Sequence, residues 1–190
     1  MSLFPMFVKL EGRRALVVGA GSVGEAKIEN LLATGASVRV VAPRATARVL
    51  EWARDGRIEW DAREYRPSDL GGMFLVIAAT GSPSLHDEIY AEARSRGVLC
   101  NSVDEPERCD FYFPAVVRRG ELQIAISTGG LSPALAQRLR KELEQQFGPE
   151  WEAWVAQLGR TREELQSIPM PPEQRKRLLH QYASLDPKPQ

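Results

Sequence analysis

Short apolar, β-branched runs alternate with amphipathic stretches through the first half of the chain. Arg14–Val18 is such a run and predicts a buried strand. Gly19-Ala20-Gly21-Ser22-Val23-Gly24 follows at once. Gly24, Ile28, Leu31 and Leu32 then recur at i, i+4, i+7 and i+8, which is one face of a helix, and Gly35 stops it. Ser37–Val41 predicts a second strand, Ala45–Asp55 a helix ended by Gly56, and Arg57–Trp60 a short third strand. Phe74–Ala79 is apolar throughout, as a parallel strand covered on both faces must be. Ser84–Arg96 predicts a helix closed by Gly97, and Val98–Val103 the next strand. This alternation predicts an α/β fold of Rossmann type, a doubly wound parallel sheet.

The pattern changes after Asp104. Phe111–Val117 and Glu121–Ser127 read as strands separated by Arg118-Arg119-Gly120, a hairpin. Ser132-Pro133 opens a helix running to about Phe147, and Gly148-Pro149 ends it. The remainder is polar and helical: Glu150–Leu158, then Thr161–Gln166 with Thr161 and Glu164 as a capping box, then Glu173–Tyr182 after three prolines. Three parts are expected: a Rossmann domain over 1–113, a hairpin-plus-helix segment over 114–148, and a small helical region over 149–190.

Charge and composition narrow the function. With 25 basic and 25 acidic side chains the net charge is zero, so no global field favours nucleic acid. No apolar run has membrane-spanning length, and Met1–Glu11 does not read as a signal peptide. Cys100 and Cys109 are the only cysteines and match no zinc spacing, which suggests free thiols in a cytoplasmic protein without a structural metal. His86 and His180 lack a metal-ligand partner at i+3 or i+4 and read as surface residues. Trp151 and Trp154 read as packing the tail onto the body, and Phe111 and Phe113 as core or interface.

The glycine loop carries the most specific chemistry. Gly19, Gly21 and Gly24 form G-x-G-x-x-G between a strand and a helix. This is the context in which a tight turn, close backbone approach to a pyrophosphate and close helix–strand packing each require glycine. The helix N-terminus, with Ser22 and Val23, then presents N–H groups to phosphates. The alternatives are a turn that binds nothing and one that binds a methyl donor. The acid that usually grips a ribose 2′-hydroxyl is missing: the second strand ends Val41-Ala42-Pro43-Arg44. Arg44 suits a 2′-phosphate or is a solvated arginine, and both readings stay open. Ala78-Ala79-Thr80-Gly81 ends the central strand on the glycine-loop side, where a flat ring or ribose could approach Thr80.

Several segments together resemble a known family. Phe4-Pro5-Met6-Phe7, the loop Val18–Gly24, Cys100-Asn101-Ser102-Val103-Asp104 and Ile124–Ala136, with its S-T-G-G-x-S-P-A-L-A stretch, are similar to precorrin-2 dehydrogenases. These form the N-terminal module of bifunctional and trifunctional sirohaem synthases. The similarity runs from about Phe4 to Phe147. It implies NAD-dependent oxidation of precorrin-2 to sirohydrochlorin, with ferrous-iron insertion as a second activity in some members. It implies that Asp104 is the acid/base group and that Ser22, Val23, Pro43 and Arg44 touch NAD. The family lacks the ribose-binding acid yet uses NAD, which outweighs the Arg44 argument. It also implies a homodimer formed through Pro114–Phe147, and it places Thr128 at the position of a phosphorylatable serine. A non-catalytic NAD-sensing module is the rival from another class.

The proposed chemistry removes a hydride and a proton from a reduced tetrapyrrole. Asp104, at the carboxyl end of Val98–Val103, suits a general base; its plainer role is a turn residue before Glu105-Pro106. The substrate's carboxylates call for cations or N–H donors. Candidates are Arg118, Arg119, Arg138, Arg140 and Lys141, with Ser132 at a helix start, although most charged residues are simply solvated.

Overall fold

Strand β1 (Arg14–Ala20) occupies the centre of a five-stranded parallel sheet, and its side chains alternate between two cores. Ala15 and Val17 enter one core and Leu16 and Val18 the other, as the period-2 geometry of a strand requires. The structure is a computed structural model, described over residues 3–187. It divides into two units, Met1–Tyr112 and Phe113–Gln190.

In the first unit β1 is followed by α1 (Ser22–Leu32), β2 (Ser37–Ala45), α2 (Ala47–Arg54), β3 (Glu59–Asp61), β4 (Leu75–Ala78), α3 (Pro83–Arg96) and β5 (Leu99–Ser102). The strand order is β3-β2-β1-β4-β5, the doubly wound order expected. One core takes Ile28 and Leu31 of α1 with Val49 and Trp52 of α2; the other takes Ile89 and Ala93 of α3 with Cys100. Helices therefore cover both faces. This explains why β4 is buried at all four positions. Each fully buried Leu or Ile contributes about 1.5–3 kcal/mol.

Two boundaries differ from expectation near the glycine loop. β2 continues to Ala45, which pairs with Ala20 after a register shift in β1 between Val18 and Ala20. The α2 helix consequently begins at Ala47 instead of Ala45. Thr46 is its N-cap, accepting from the Val49 N–H, while its own N–H donates to the Ala20 carbonyl at 3.1 Å. A side-chain oxygen at Thr46 satisfies an otherwise orphan helix donor, which Ala45 could not do. The third strand also starts later, at Glu59.

An ion cluster closes the connection between β3 and β4. Arg63 grips Asp69 with two guanidinium bonds of 2.6 and 2.9 Å, and the Arg66 N–H donates to the same carboxylate. Arg39 reaches Asp61 at 2.6 Å. Asp69 is buried, so this bidentate pairing compensates the cost of removing its charge from water.

In the second unit β6 (Ala115–Arg119) and β7 (Leu122–Ile126) form an antiparallel hairpin that turns at Gly120-Glu121. Phe111 and Phe113 both precede β6, so neither lies in a strand. Helices α4 (Pro133–Gln146), α5 (Glu150–Ser167) and α6 (Pro172–Ala183) follow. The tail expected as separate helices before and after Gly159 is the single helix α5, and Thr161 lies inside it instead of capping a new one. One interior glycine costs only about 1 kcal/mol, too little to end a helix by itself. Among the described residues no helix is long and apolar enough to cross a membrane.

Candidate active site

At the carboxyl edge of the first unit's sheet, Gly19 has φ +102° and lies against the end of β4. A Cβ there would stand 2.3 Å from the Ala79 carbonyl oxygen. At Gly24 it would stand 2.2 Å from the Gly19 carbonyl oxygen. These two glycines let β1, α1 and β4 meet. Gly21 is different: its Cβ position has nothing within 4 Å, so the space above it is open to a ligand.

Gly21 is also the N-cap of α1 and offers no side chain to it. The first helical bond runs from the Glu25 N–H to the Gly21 carbonyl at 2.8 Å, leaving the N–H groups of Ser22, Val23 and Gly24 before it. Ser22 and Val23 are exposed. Oriented donors, a favourable helix dipole and space at Gly21 fit the pyrophosphate of a dinucleotide.

The other residues expected at the cofactor surround this loop in different ways. Ala42 is buried and its carbonyl accepts from the Trp60 indole N–H at 3.1 Å, so it shapes the wall and offers no side chain. Pro43 and Arg44 are exposed in the extended end of β2, and Arg44 has no ion pair or hydrogen bond among the described residues. Thr80 borders Gly19, with its methyl 3.1 Å from where a Cβ would stand. Its hydroxyl accepts from the Ser82 N–H.

Asp104 follows β5 and is the one non-glycine at positive φ among the described residues, at +63°. Asp tolerates this left-handed conformation better than most residues, and such strain often marks functional turns. The turn is anchored from behind. Asn101 donates to the Phe111 carbonyl at 2.8 Å, the Cys109 thiol meets the Ser102 carbonyl at 3.1 Å, and Asp110 accepts from the Cys100 N–H. The Asp104 carboxylate itself is exposed and accepts no hydrogen bond among the described residues. Half-buried Lys27 of α1 feels its charge. Burial pulls the Lys27 ammonium below the usual lysine range, and Asp104 and then Cys109 oppose that fall.

Two residues that were not among the site candidates read from the sequence join this edge. Lys27 is one. The other is His86, which is buried and not on the surface as expected. Its imidazole Nε2 accepts the Thr80 N–H at 3.3 Å. The signal was present: His86, Ile89 and Ala93 stand at i, i+3 and i+7, the buried face of α3.

Three of the five basic candidates of the second unit, Arg119, Arg138 and Arg140, have local partners. Arg119 donates to the Phe147 and Glu144 carbonyls and so caps the end of α4. Arg138 pairs with Glu142, Arg140 with Glu144, and Arg118 is exposed. Lys141 is exposed too. The Ser132 hydroxyl is the N-cap of α4, accepting from the Leu135 N–H, and Thr128 Oγ1 accepts from the Ser132 N–H. Trp151 and Trp154 are half-buried, and Trp151 meets Phe147 edge-on at 4.9 Å.

Comparison with known proteins converges on one family. Residues 6–115 match a family described as putative NAD(P)-binding, and residues 119–146 match the central part of sirohaem biosynthesis proteins. The chain is 44% identical over 144 residues to siroheme synthase 1 of Yersinia enterocolitica, covering 76% of this chain and 30% of that one. It is 44% identical over the same length to the siroheme synthase of Pseudomonas entomophila, covering 76% and 31%. The chain thus spans less than a third of the length of these relatives. The solved structure of the precorrin-2 dehydrogenase SirC superposes with a TM-score of 0.80 at 26% identity, over 94% of this chain and 88% of that one. With a glycine loop shaped for a dinucleotide and both parts of the chain matched in order, this protein belongs to the NAD(P)-binding family of precorrin-2 dehydrogenases and sirohaem synthase modules.

Proposed function

We propose that the chain oxidises precorrin-2 to sirohydrochlorin with NAD, using Asp104 as the proton acceptor. The observation that carries this reading is the pairing, on one sheet edge, of an open glycine loop with a strained, exposed carboxylate one turn beyond β5. When bound, the dinucleotide would supply a two-electron hydride acceptor. The chain's part is to hold the dinucleotide at Gly19, Gly21, Ser22, Val23 and Gly24 and to pass its far end along Thr80. It must also accept the proton that leaves with the hydride. The Asp104 carboxylate has its lone pairs available for that proton, and the fold holds its backbone in place. Lys27 of α1 places a cationic side chain close enough to Asp104 to feel its charge.

Arg44, exposed at the end of β2 and unpaired among the described residues, leaves room for a 2′-phosphate, but the family resemblance favours NAD. Titration with both dinucleotides decides between them. Ferrous-iron insertion as a second activity stays compatible with dehydrogenation; among the described residues no group of three or more His, Cys, Asp or Glu could cage a metal. Exposed Leu131 and Leu135, four residues apart where α4 begins, support self-association into a homodimer through the 114–148 segment. Arg118, Arg138 and Ser132 stay on the substrate side of this proposal through the same segment, for the tetrapyrrole's carboxylates. A cytoplasmic location agrees with two free thiols.

The test is an anaerobic assay with precorrin-2 and NAD, comparing wild type with Asp104→Asn. Sirohydrochlorin and NADH forming together in wild type, with NAD still bound but turnover lost in the variant, is the expected result. Turnover retained in the variant would remove Asp104 from the mechanism. A folded wild type that binds NAD and leaves precorrin-2 unchanged would favour a nucleotide sensor.

A further inference from the structure

His86 spans two walls of this edge. Its Nε2 accepts the Thr80 N–H at 3.3 Å, so that nitrogen carries the lone pair and the proton of the neutral ring resides on Nδ1. Nδ1 stands 3.2 Å from Glu105 Oε2, the residue next to Asp104. The alignment there falls short of a hydrogen bond, leaving Nδ1 buried without an aligned acceptor. The same Glu105 oxygen is held by Arg108 at 3.0 Å, and Arg108 is anchored to Asp87 at 2.6 Å. Consecutive residues of α3, His86 and Asp87, thus grip the turn that carries Asp104.

We infer that His86 and Glu105 form a positioning bridge which sets the Asp104 carboxylate in register with the cofactor cleft at Thr80. The inference rests on the proposed dehydrogenase reading for its effect on rate. Asp104 sits on a left-handed turn whose preferred conformation is another one, so an external contact has to hold it. Thr80 abuts Gly19, so the same imidazole registers the turn against the glycine loop. His86 and Glu105 stand close enough for this link, with Nδ1 and Oε2 3.2 Å apart. Neither residue touches the reacting atoms; both act through the placement of Asp104.

Glu105→Leu and Glu105→Gln separate this bridge from general stability. In Glu105→Leu, NAD affinity should stay within about twofold while kcat falls about tenfold or more, because misplacing a reacting group lowers rate more than cofactor binding. The amide oxygen of Glu105→Gln still accepts from Nδ1–H, so kcat should recover most of that loss. Nitrogen NMR of the imidazoles gives an answer independent of turnover. The chain has two histidines, and a His180→Gln control assigns His86. Wild type should show a single tautomer, protonated at Nδ1 and not at Nε2, and Glu105→Leu should lose that fixed state. The bridge is refuted if the wild-type ring carries its proton on Nε2, if Glu105→Leu keeps kcat within about twofold, or if kcat and NAD affinity fall together. If wild type binds NAD without oxidising precorrin-2, the reaction fails, and the NMR result alone decides the bridge.

Discussion

Replacing Gly24 by alanine puts one methyl group into the tightest contact of the first unit. The new Cβ would lie 2.2 Å from the Gly19 carbonyl oxygen and 3.0 Å from its carbon, both backbone atoms with no rotamer to give way. An ordinary C···O contact is about 3.3 Å, so α1 and the glycine loop must part by about 1 Å. Overpacking of this kind costs about 1–3 kcal/mol. The better helix propensity of alanine returns about 1 kcal/mol, leaving a net loss of about 0–2 kcal/mol. The same shift moves the Ser22 and Val23 N–H groups away from an anion. Losing one such charge-assisted bond is worth about 1.5–3 kcal/mol, or about a tenfold to hundredfold weaker grip on NAD. Gly21→Ala is the comparison. Its backbone, φ −76° and ψ −172°, suits any residue, and its Cβ meets nothing within 4 Å. Stability should change by no more than about 0.5 kcal/mol, with NAD affinity falling only because the methyl occupies ligand space. Urea unfolding measures the first term, with Trp151 and Trp154 changed to Phe so that fluorescence reports the first unit through Trp52 and Trp60. Calorimetric titration with NAD measures the second. Were Gly24→Ala as stable as wild type and equally good at binding NAD, the close packing of loop, helix and strand would not be what holds the site. Equal NAD affinity in Gly21→Ala would place the pyrophosphate elsewhere.

The strained turn predicts that Asp104→Ala is less stable than Asp104→Gly by about 1 kcal/mol, measurable by thermal unfolding, although both should lose turnover. The Arg63 guanidinium, then the Arg66 N–H and Arg39, hold the Asp69 carboxyl below its ordinary range against the opposing effect of burial. A lowered folded value gives stability that is present above the unfolded carboxyl range and is lost as pH falls through the folded value. Asp69→Asn should therefore cost about 1–3 kcal/mol at neutral pH and little at the acid end, and equal losses at both would refute the pairing. Burial pushes the Cys100 thiol up to about 12 and also raises that of Cys109. Native protein should react with a thiol-disulfide reagent slowly at Cys109 and not at Cys100, with both reacting in denaturant.

The sheet was legible because β1, β2, β4 and their helices follow the two simplest periodicities, and burial on both faces leaves no choice of register. The dinucleotide loop was legible because glycine alone satisfies the contacts at Gly19 and Gly24, so the residue type reports the geometry. The tail was misread where Thr161 and Glu164 suggested the start of a new helix, because a local capping pattern and one glycine, worth about 1 kcal/mol each, do not outweigh a helix continuing on both sides. The end of β2 was misread for a related reason: Ala45 is a good helix former, but pairing with Ala20 across the register shift keeps it in the sheet. What sequence alone determined was the order of the strands, the cofactor loop and the carboxylate beyond β5. Tertiary structure decided which polar groups meet there. Lys27 of α1, His86 of α3 and Glu105 beside Asp104 lie far apart along the chain and become neighbours only because parallel strands bring every carboxyl end to one edge. Whether a histidine is a surface residue or a buried link between two walls depends on that convergence, which no local pattern encodes.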